Sequence, residues 1–263
     1  MHLNENLKST YNLQGFVVIK NFFKSSDIKR LKKKVLKKVK KINSKNIYSE
    51  KISKNKIRLR RVEKVTENIK EVKKLLYSKK IKFLLKYITN KNNILFKDKL
   101  NFKYPGGQGF RPHIDGHFYW KDSKDNKREG WSEYSNTFTN LVIPLEDSDK
   151  KNGCLYLSKK NDIKKLGKNW KQITSKMDLF SPNIKKQYLN KFKFFPALMK
   201  TGDLLVFDWH CAHKSSKNNS KRSRLIFYAT YCPKNNSKNL RKQYYYDKEN
   251  SKNPNYLKSL QNK

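Results

Sequence analysis

Acidic residues are scarce in this chain. Only 21 Asp and Glu stand against 63 Lys and Arg in 263 residues, which leaves a formal charge of +42. Cysteine is scarcer: three, an odd number, too few for a disulfide framework. Cys154, Cys211 and Cys232 therefore read as reduced thiols, and a cytoplasmic location is expected. No apolar run is long enough to cross a bilayer as a helix. The opening MHLNENLKST has no apolar centre and does not read as a secretory signal. Hydrophobic residues are also few, at 36%, yet aromatics reach 13%. Disordered chains lack aromatics, so a packed core is expected. The length suits one large domain or two small ones.

The charge has two readings. One is a nucleic-acid or anionic partner. The other is compositional bias: the cations are 54 Lys against nine Arg, spread from end to end with abundant Asn. Lys is the poorer residue for bidentate phosphate or guanine recognition. Bias is the favoured reading, and a nucleic-acid partner is not expected. Small anions are still attracted by such a field.

Along the chain, Gly15-Phe16-Val17-Val18-Ile19 reads as a short strand. Ser25 or Ser26 then looks like an N-cap, and Ile28, Leu31, Val35, Val39 and Ile42 form the stripe of an amphipathic helix. Residues 43–66 are polar and irregular. Residues 68–89 read as two short helices with Ser78 near the break. From about 94 the texture turns to β-branched and aromatic runs, with candidate strands at 94–104, 111–119, 137–145, 153–158, 203–209 and 224–232. Helices first and strands after suggest one α+β domain, a barrel or sandwich buttressed by N-terminal helices. Residues 233–263 are polar and expected to be loose towards the end.

Four of the five histidines fall in two short segments, Arg111-Pro-His113-Ile-Asp115-Gly-His117 and Asp208-Trp-His210-Cys-Ala-His213. On a strand, His113 and Asp115 point to one face. Two His and one carboxylate on one face of an octahedron form the facial triad of non-haem Fe(II) oxygenases, with three positions open. A four-ligand structural zinc site would leave no such room. Arg224 lies eleven residues after His213, and a guanidinium there can pair with the remote carboxylate of 2-oxoglutarate.

These residues carry a family resemblance. The chain resembles the phytanoyl-CoA dioxygenase family of Fe(II)/2-oxoglutarate hydroxylases over roughly residues 11–248. Tyr11-x3-Gly15-Phe-Val-Val-Ile19-x2-Phe22 is similar to that family's first strand, and His113-x-Asp115 to its first two ligands. Asn152-Gly-Cys-Leu155 matches a family stretch, as does Gly202-Asp203 followed ten residues later by His213. His213-x-Ser215-x2-Asn218-x5-Arg224 continues the pattern, which marks His213 rather than His210 as the distal ligand. Arg222, nine residues on, is the competing anchor; strand alternation puts both arginines on one face, so the choice rests on family spacing. One departure is Ser158-Lys-Lys-Asn161, where the family has Pro-Gly-Ser-His.

The resemblance implies a double-stranded β-helix (jelly-roll, cupin-like) core within a single domain over 1–248, followed by a polar tail at 249–263. It implies Fe(II) on His113, Asp115 and His213, with 2-oxoglutarate and O2 as co-substrates and succinate and CO2 as products. Arg224, with Ser215 and Lys103, is the implied 2-oxoglutarate site. Arg111, His117 and Trp120 are candidate substrate contacts. The triple Tyr244-Tyr245-Tyr246 reads as packing, or as a cover over the site. His113-x-Asp115-x4-Trp120, Arg222-x-Arg224-x3-Tyr228 and Tyr245-Tyr-Asp-Lys248 look like a bacterial branch that hydroxylates 2-aminoethylphosphonate and related organophosphonates. The expected partner is thus a small anionic or zwitterionic substrate. The alternatives are another metabolite or acyl substrate, a nucleic-acid-associated oxygenase, or a non-catalytic binding protein on this fold. The sequence does not set the oligomeric state.

Overall fold

A computed structural model describes residues 5–42, 44–53, 56–172, 174–177 and 182–251. The chain opens with α1 (Glu5–Gln14), β1 (Phe16–Ile19) and α2 (Ser25–Lys38). A hairpin follows, β2 (Ile47–Ser53) and β3 (Lys56–Glu63), then α3 (Val65–Asn68), α4 (Lys70–Leu76) and α5 (Lys79–Thr89). Strands then dominate: β4 (Asn93–Lys103), β5 (Phe110–His113), β6 (Tyr119–Lys121), β7 (Lys127–Glu129), β8 (Thr139–Pro144) and β9 (Leu155–Leu157). After a 3-10 segment come β10 (Thr174–Met177), β11 (Pro182–Ile184), β12 (Phe195–Ala197), β13 (Leu204–Asp208), β14 (His213–Ser215), β15 (Arg224–Pro233) and α6 (Leu240–Asn250).

Two antiparallel sheets form the core of a jelly roll. The larger has seven strands in the order β1-β13-β8-β15-β4-β3-β2, and the smaller has four, β12-β9-β14-β5. Alternation along β15 explains the layering. Leu225, Phe227, Ala229 and Tyr231 face one way and pack with Val35, Val72 and Leu85 of the helices. Ile226, on the other face, packs with Leu155 and Leu157 of the small sheet. The N-terminal helices therefore cover the outer face of the large sheet, and the inner face looks onto the small one. Among the described residues, no helix is long and apolar enough to cross a membrane.

Most of the expected strands are present, and Ser78 does cap α5, accepting from Ile81 N at 3.4 Å. Three expectations are corrected. The cap of α2 is Lys24, without a side-chain bond, and Val39 and Ile42 are buried beyond the helix end. Residues 43–66 are not irregular throughout: β2 and β3 extend the large sheet, because Val62 packs into the core while its neighbours stay polar. The run 111–119 is not one strand; β5 stops at His113, and Gly116 at φ +75° turns the chain. After residue 233 the chain forms α6 before the expected tail. Leu240, Tyr244 and Tyr245 of α6 pack with Phe96 and Trp131, and the helix runs past the expected boundary at 248 to Asn250. Residues beyond 251 of the expected tail lie outside the described residues.

Candidate metal centre and co-substrate pocket

His113 ends β5 and His213 opens β14, and the two are paired directly across the small sheet. Their rings lie 4.1 Å apart, centroid to centroid. Asp115 reaches them from the turn after β5, not by strand alternation, with Oδ2 3.8 Å from His213 Nε2. One ligand atom from each of the three lies within 4.8 Å of the others.

The orientation of each donor is set from behind. Backbone carbonyls can only accept, so His113 Nδ1 donates to Arg111 O at 2.8 Å and His213 Nδ1 to Cys211 O at 3.1 Å. Both Nε2 lone pairs are thereby directed to a common point, as in metal sites generally. Asn140 Nδ2 donates to Asp115 Oδ2 at 3.3 Å, and Thr230 holds Asn140 in turn at 2.7 Å. Burial, aided by His213, pushes His113 down to about 3, so it is a neutral imidazole at neutral pH. Burial raises the Asp115 carboxyl, but His213 and Lys99 outweigh it and hold it at about 2. Two neutral imidazoles and one carboxylate are a donor set that fits Fe(II).

The cavity in front of this triad is cationic. Arg61, Lys97 and Lys99 line it, and Asp115 is the one carboxylate in its wall among the described residues. Alternation on β4 sends Lys97, Lys99, Asn101 and Lys103 inward while Leu100 and Phe102 join the helical core. The Lys97-x-Lys99-x-Asn101-x-Lys103 period was a signal available in the sequence, of which only Lys103 was singled out. Arg61 had no such signal. The register between β2 and β3 shifts at Arg60, so Arg60 and Arg61 both face inward. Both guanidiniums lie over the Phe110 ring, at 4.2 and 5.6 Å. Burial, with Arg61 and Lys97 beside it, brings Lys99 down to about 7. Arg61 Nε, Asn101 Oδ1 and Trp131 Nε1 are buried without a hydrogen-bond partner in the protein. Buried polar atoms are nearly always satisfied, so these point to a polar ligand.

Behind the triad lies a second cluster of charge. Arg224 and Lys103 are both 1% exposed and are paired in register on β15 and β4. Lys103 Nζ donates to Gly153 O at 3.1 Å, Ser215 Oγ at 2.9 Å and Ser216 O at 2.6 Å. Arg224 donates to the same Gly153 carbonyl, and its Nε has no partner. Arg60 is buried beside them, with Glu50 as its carboxylate at 3.4 Å. Two buried guanidiniums and a lysine whose protonation they and burial disfavour face one carboxylate among the described residues, a site that an anion would neutralise. Arg222 is exposed and pairs with Asp149. It precedes β15, so the alternation expected to put it beside Arg224 does not reach it.

The remaining candidates lie elsewhere. Arg111 is exposed on β5, and its backbone carbonyl rather than its side chain serves the triad. His117 follows the turn at Gly116, stacks on Trp209 at 4.8 Å and is absent from the described lining of the triad cavity. Trp120 lines a neighbouring apolar chamber with Tyr134 and Tyr244, and its indole donates to Gly130 O at 3.4 Å. Tyr244 and Tyr245 are packed in the core, whereas Tyr246 is exposed.

Gly153 is a position where a glycine is required. Its φ is +76°, and a Cβ would stand 2.4 Å from Ser216 O. Gly153→Ala is expected to cost at least ~1–2 kcal/mol from the left-handed backbone alone. Denaturant melts of the two proteins measure it; an unchanged midpoint would mean the loop relaxes freely.

Comparison with known proteins supports this assignment of the centre. The profile of the phytanoyl-CoA dioxygenase (PhyH) family matches residues 11–226. A methylphosphonate hydroxylase of Gimesia maris is 29% identical over 161 residues, 60% of this chain and 52% of that protein. A 2-aminoethylphosphonate dioxygenase of an uncultured bacterium is 28% identical over 171 residues, 65% of this chain and 58% of the relative. The chain thus spans about half the length of the curated relatives it matches. A crystal structure of EctD from S. alaskensis with 2-oxoglutarate and 5-hydroxyectoine superposes with a TM-score of 0.67 at 13% identity. That superposition covers 88% of this chain and 76% of EctD and shows a shared fold. The chain belongs to the phytanoyl-CoA dioxygenase family, whose members are non-haem iron and 2-oxoglutarate dependent oxygenases.

Proposed function

We propose that this chain hydroxylates a small anionic or zwitterionic molecule, an organophosphonate of the 2-aminoethylphosphonate type. The observation that carries the reading is the triad cavity itself, where Arg61, Lys97 and Lys99 face one carboxylate. That carboxylate, Asp115, is committed to the metal. A phosphonate dianion offsets the remaining charge, and the buried Arg61 and Trp131 N–H groups suit its oxygens. The two phosphonate-acting relatives support the same class. Asn101 Oδ1, an unpartnered acceptor in the same wall, suits an ammonium or hydroxyl hydrogen of the substrate.

His113, Asp115 and His213 hold Fe(II), which supplies O2 activation coupled to decarboxylation of 2-oxoglutarate, with succinate, CO2 and a substrate hydroxyl as products. Arg224 and Lys103 bind the remote carboxylate of 2-oxoglutarate, and Ser215 donates or accepts beside them. Phe118, Trp131 and Tyr228 wall the cavity and keep bulk water from the reacting carbon. Lys99, half-buried between the triad and Arg61, orients the anionic end of the substrate.

The test is anaerobic reconstitution with Fe(II) and 2-oxoglutarate, an O2 pulse, and detection of succinate. Phosphorus and proton NMR follow 2-aminoethylphosphonate and methylphosphonate. Stoichiometric succinate with a new hydroxyl on a phosphonate is the expected result. Slow succinate with every phosphonate unchanged overturns the substrate class and keeps the oxygenase. No succinate from metal-loaded protein overturns the enzyme.

A further inference from the structure

Two cations of the triad cavity are held from outside it by a single helix. Lys97 donates to Tyr244 Oη at 3.1 Å. Glu63, next to Arg61 on the inward face of β3, is bonded to Lys248 Nζ. Tyr244 and Lys248 stand four residues apart on α6, so one helix face makes both contacts. Glu63 and Lys248 are both buried, with side chains 3% and 9% exposed. Lys248 also reaches Tyr48 Oη at 3.4 Å.

The charge arrangement gives Lys248 a purpose. Arg61 NH1 is 3.6 Å from Glu63 Oε1, a longer contact than Glu63 makes with Lys248. Arg61 Nε has no partner at all. Were Lys248 absent, the buried Glu63 carboxylate would be left to the two cavity cations beside it, Arg61 in ion-pair contact and Lys97 through its charge, and a buried carboxylate is costly to leave unpaired. Arg61 would be drawn onto Glu63 and its charge cancelled before a ligand arrived. With Lys248 in place, the carboxylate is already neutralised and the guanidinium faces the cavity.

We propose that Lys248 is a positioning residue for substrate selection: by holding Glu63, it keeps Arg61 available to the anionic group of the substrate. The inference rests on the reading of Arg61, Lys97 and Lys99 as the anion subsite. It assigns a role in the site to a helix that supplies none of the described residues lining the triad cavity.

The test is the affinity of the Fe(II)- and 2-oxoglutarate-loaded protein for 2-aminoethylphosphonate, measured anaerobically by calorimetry. Lys248→Met is expected to raise the Kd at least tenfold, with the Kd for 2-oxoglutarate unchanged. The double variant Lys248→Met/Glu63→Gln removes the competing charge and is expected to return the Kd to within about threefold of the parent. That rescue separates a charge effect from a packing effect, since loss of helix docking is not repaired by Glu63→Gln. A normal Kd in Lys248→Met, or a folded double variant that stays weak, overturns the inference. Arg61→Met distinguishes the two levels. If Arg61→Met binds normally, or the parent binds no phosphonate, the anion subsite fails and the inference with it. If Arg61→Met is weak and Lys248→Met is not, the inference alone fails.

Discussion

Asp115→Ala is expected to abolish product formation and to weaken Fe(II) binding more than ~100-fold. Loss of an outer partner of a metal ligand typically costs 10–100-fold in affinity or activity. Asp115 is not an outer partner: it is the single anionic donor of the three, and His113 and His213 are neutral. Without it, nothing at the site offsets the metal's charge, while Lys99 and Lys97 remain to repel it. Asn140→Ala supplies the graded comparison. Its amide holds Asp115 Oδ2 from behind, so a loss of ~10–100-fold is expected there. Anaerobic Fe(II) titration and succinate release measure both. Iron affinity surviving in Asp115→Ala would place the metal elsewhere.

Arg224→Met is expected to raise the KM for 2-oxoglutarate by far more than Arg222→Met. Removing one partner of a buried charge pair costs about 2–5 kcal/mol, or roughly thirty- to several-thousand-fold. Arg222 is exposed beside Asp149, where an ion pair contributes at most about 1 kcal/mol. The same variant has an opposite effect on the free protein. Burial first, then Arg224 and Arg60, push Lys103 down to about 5 from 10.5. Between those values the unfolded chain binds the extra proton, so this group makes stability rise with pH. The penalty is complete below about 5 and gone above 10.5. Arg224→Met relieves part of it, so the free protein is expected to melt no lower than the parent while the gain on adding 2-oxoglutarate shrinks. Equal KM values for the two arginine variants would refute Arg224 as the anchor.

The metal triad was legible because its residue types are rare and their spacing is rigid. Five histidines in 263 residues, four of them in two short segments, stand out against a background of Lys and Asn. Yet the reason offered for pairing His113 with Asp115 was strand alternation, and the chain leaves the strand between them. The same alternation carried His117 into the site on paper, and the turn at Gly116 took it out. Alternation holds only while the ladder hydrogen bonds hold, and a left-handed glycine ends them. Arg224 was separated from Arg222 for a reason the sequence could not supply, the start of β15.

The sequence by itself determined the layering, the metal donors and the chemistry they admit. Apolar periodicity sets which face of each helix and strand is buried, and that is a local property. Only the tertiary structure decided which further cations, beyond Arg224 and Lys103, stand in and around the triad cavity. Lys is so frequent that its presence carries no information at any one position. Arg61 enters through a register shift, Lys97 and Lys99 through their place on an inner strand, and Lys248 through the packing of α6. Those placements depend on strand register and on contacts between segments more than a hundred residues apart. Beyond the alternation along β4, no local pattern records them, because what selects a buried cation is the carboxylate or ligand it meets, and these come from elsewhere in the chain.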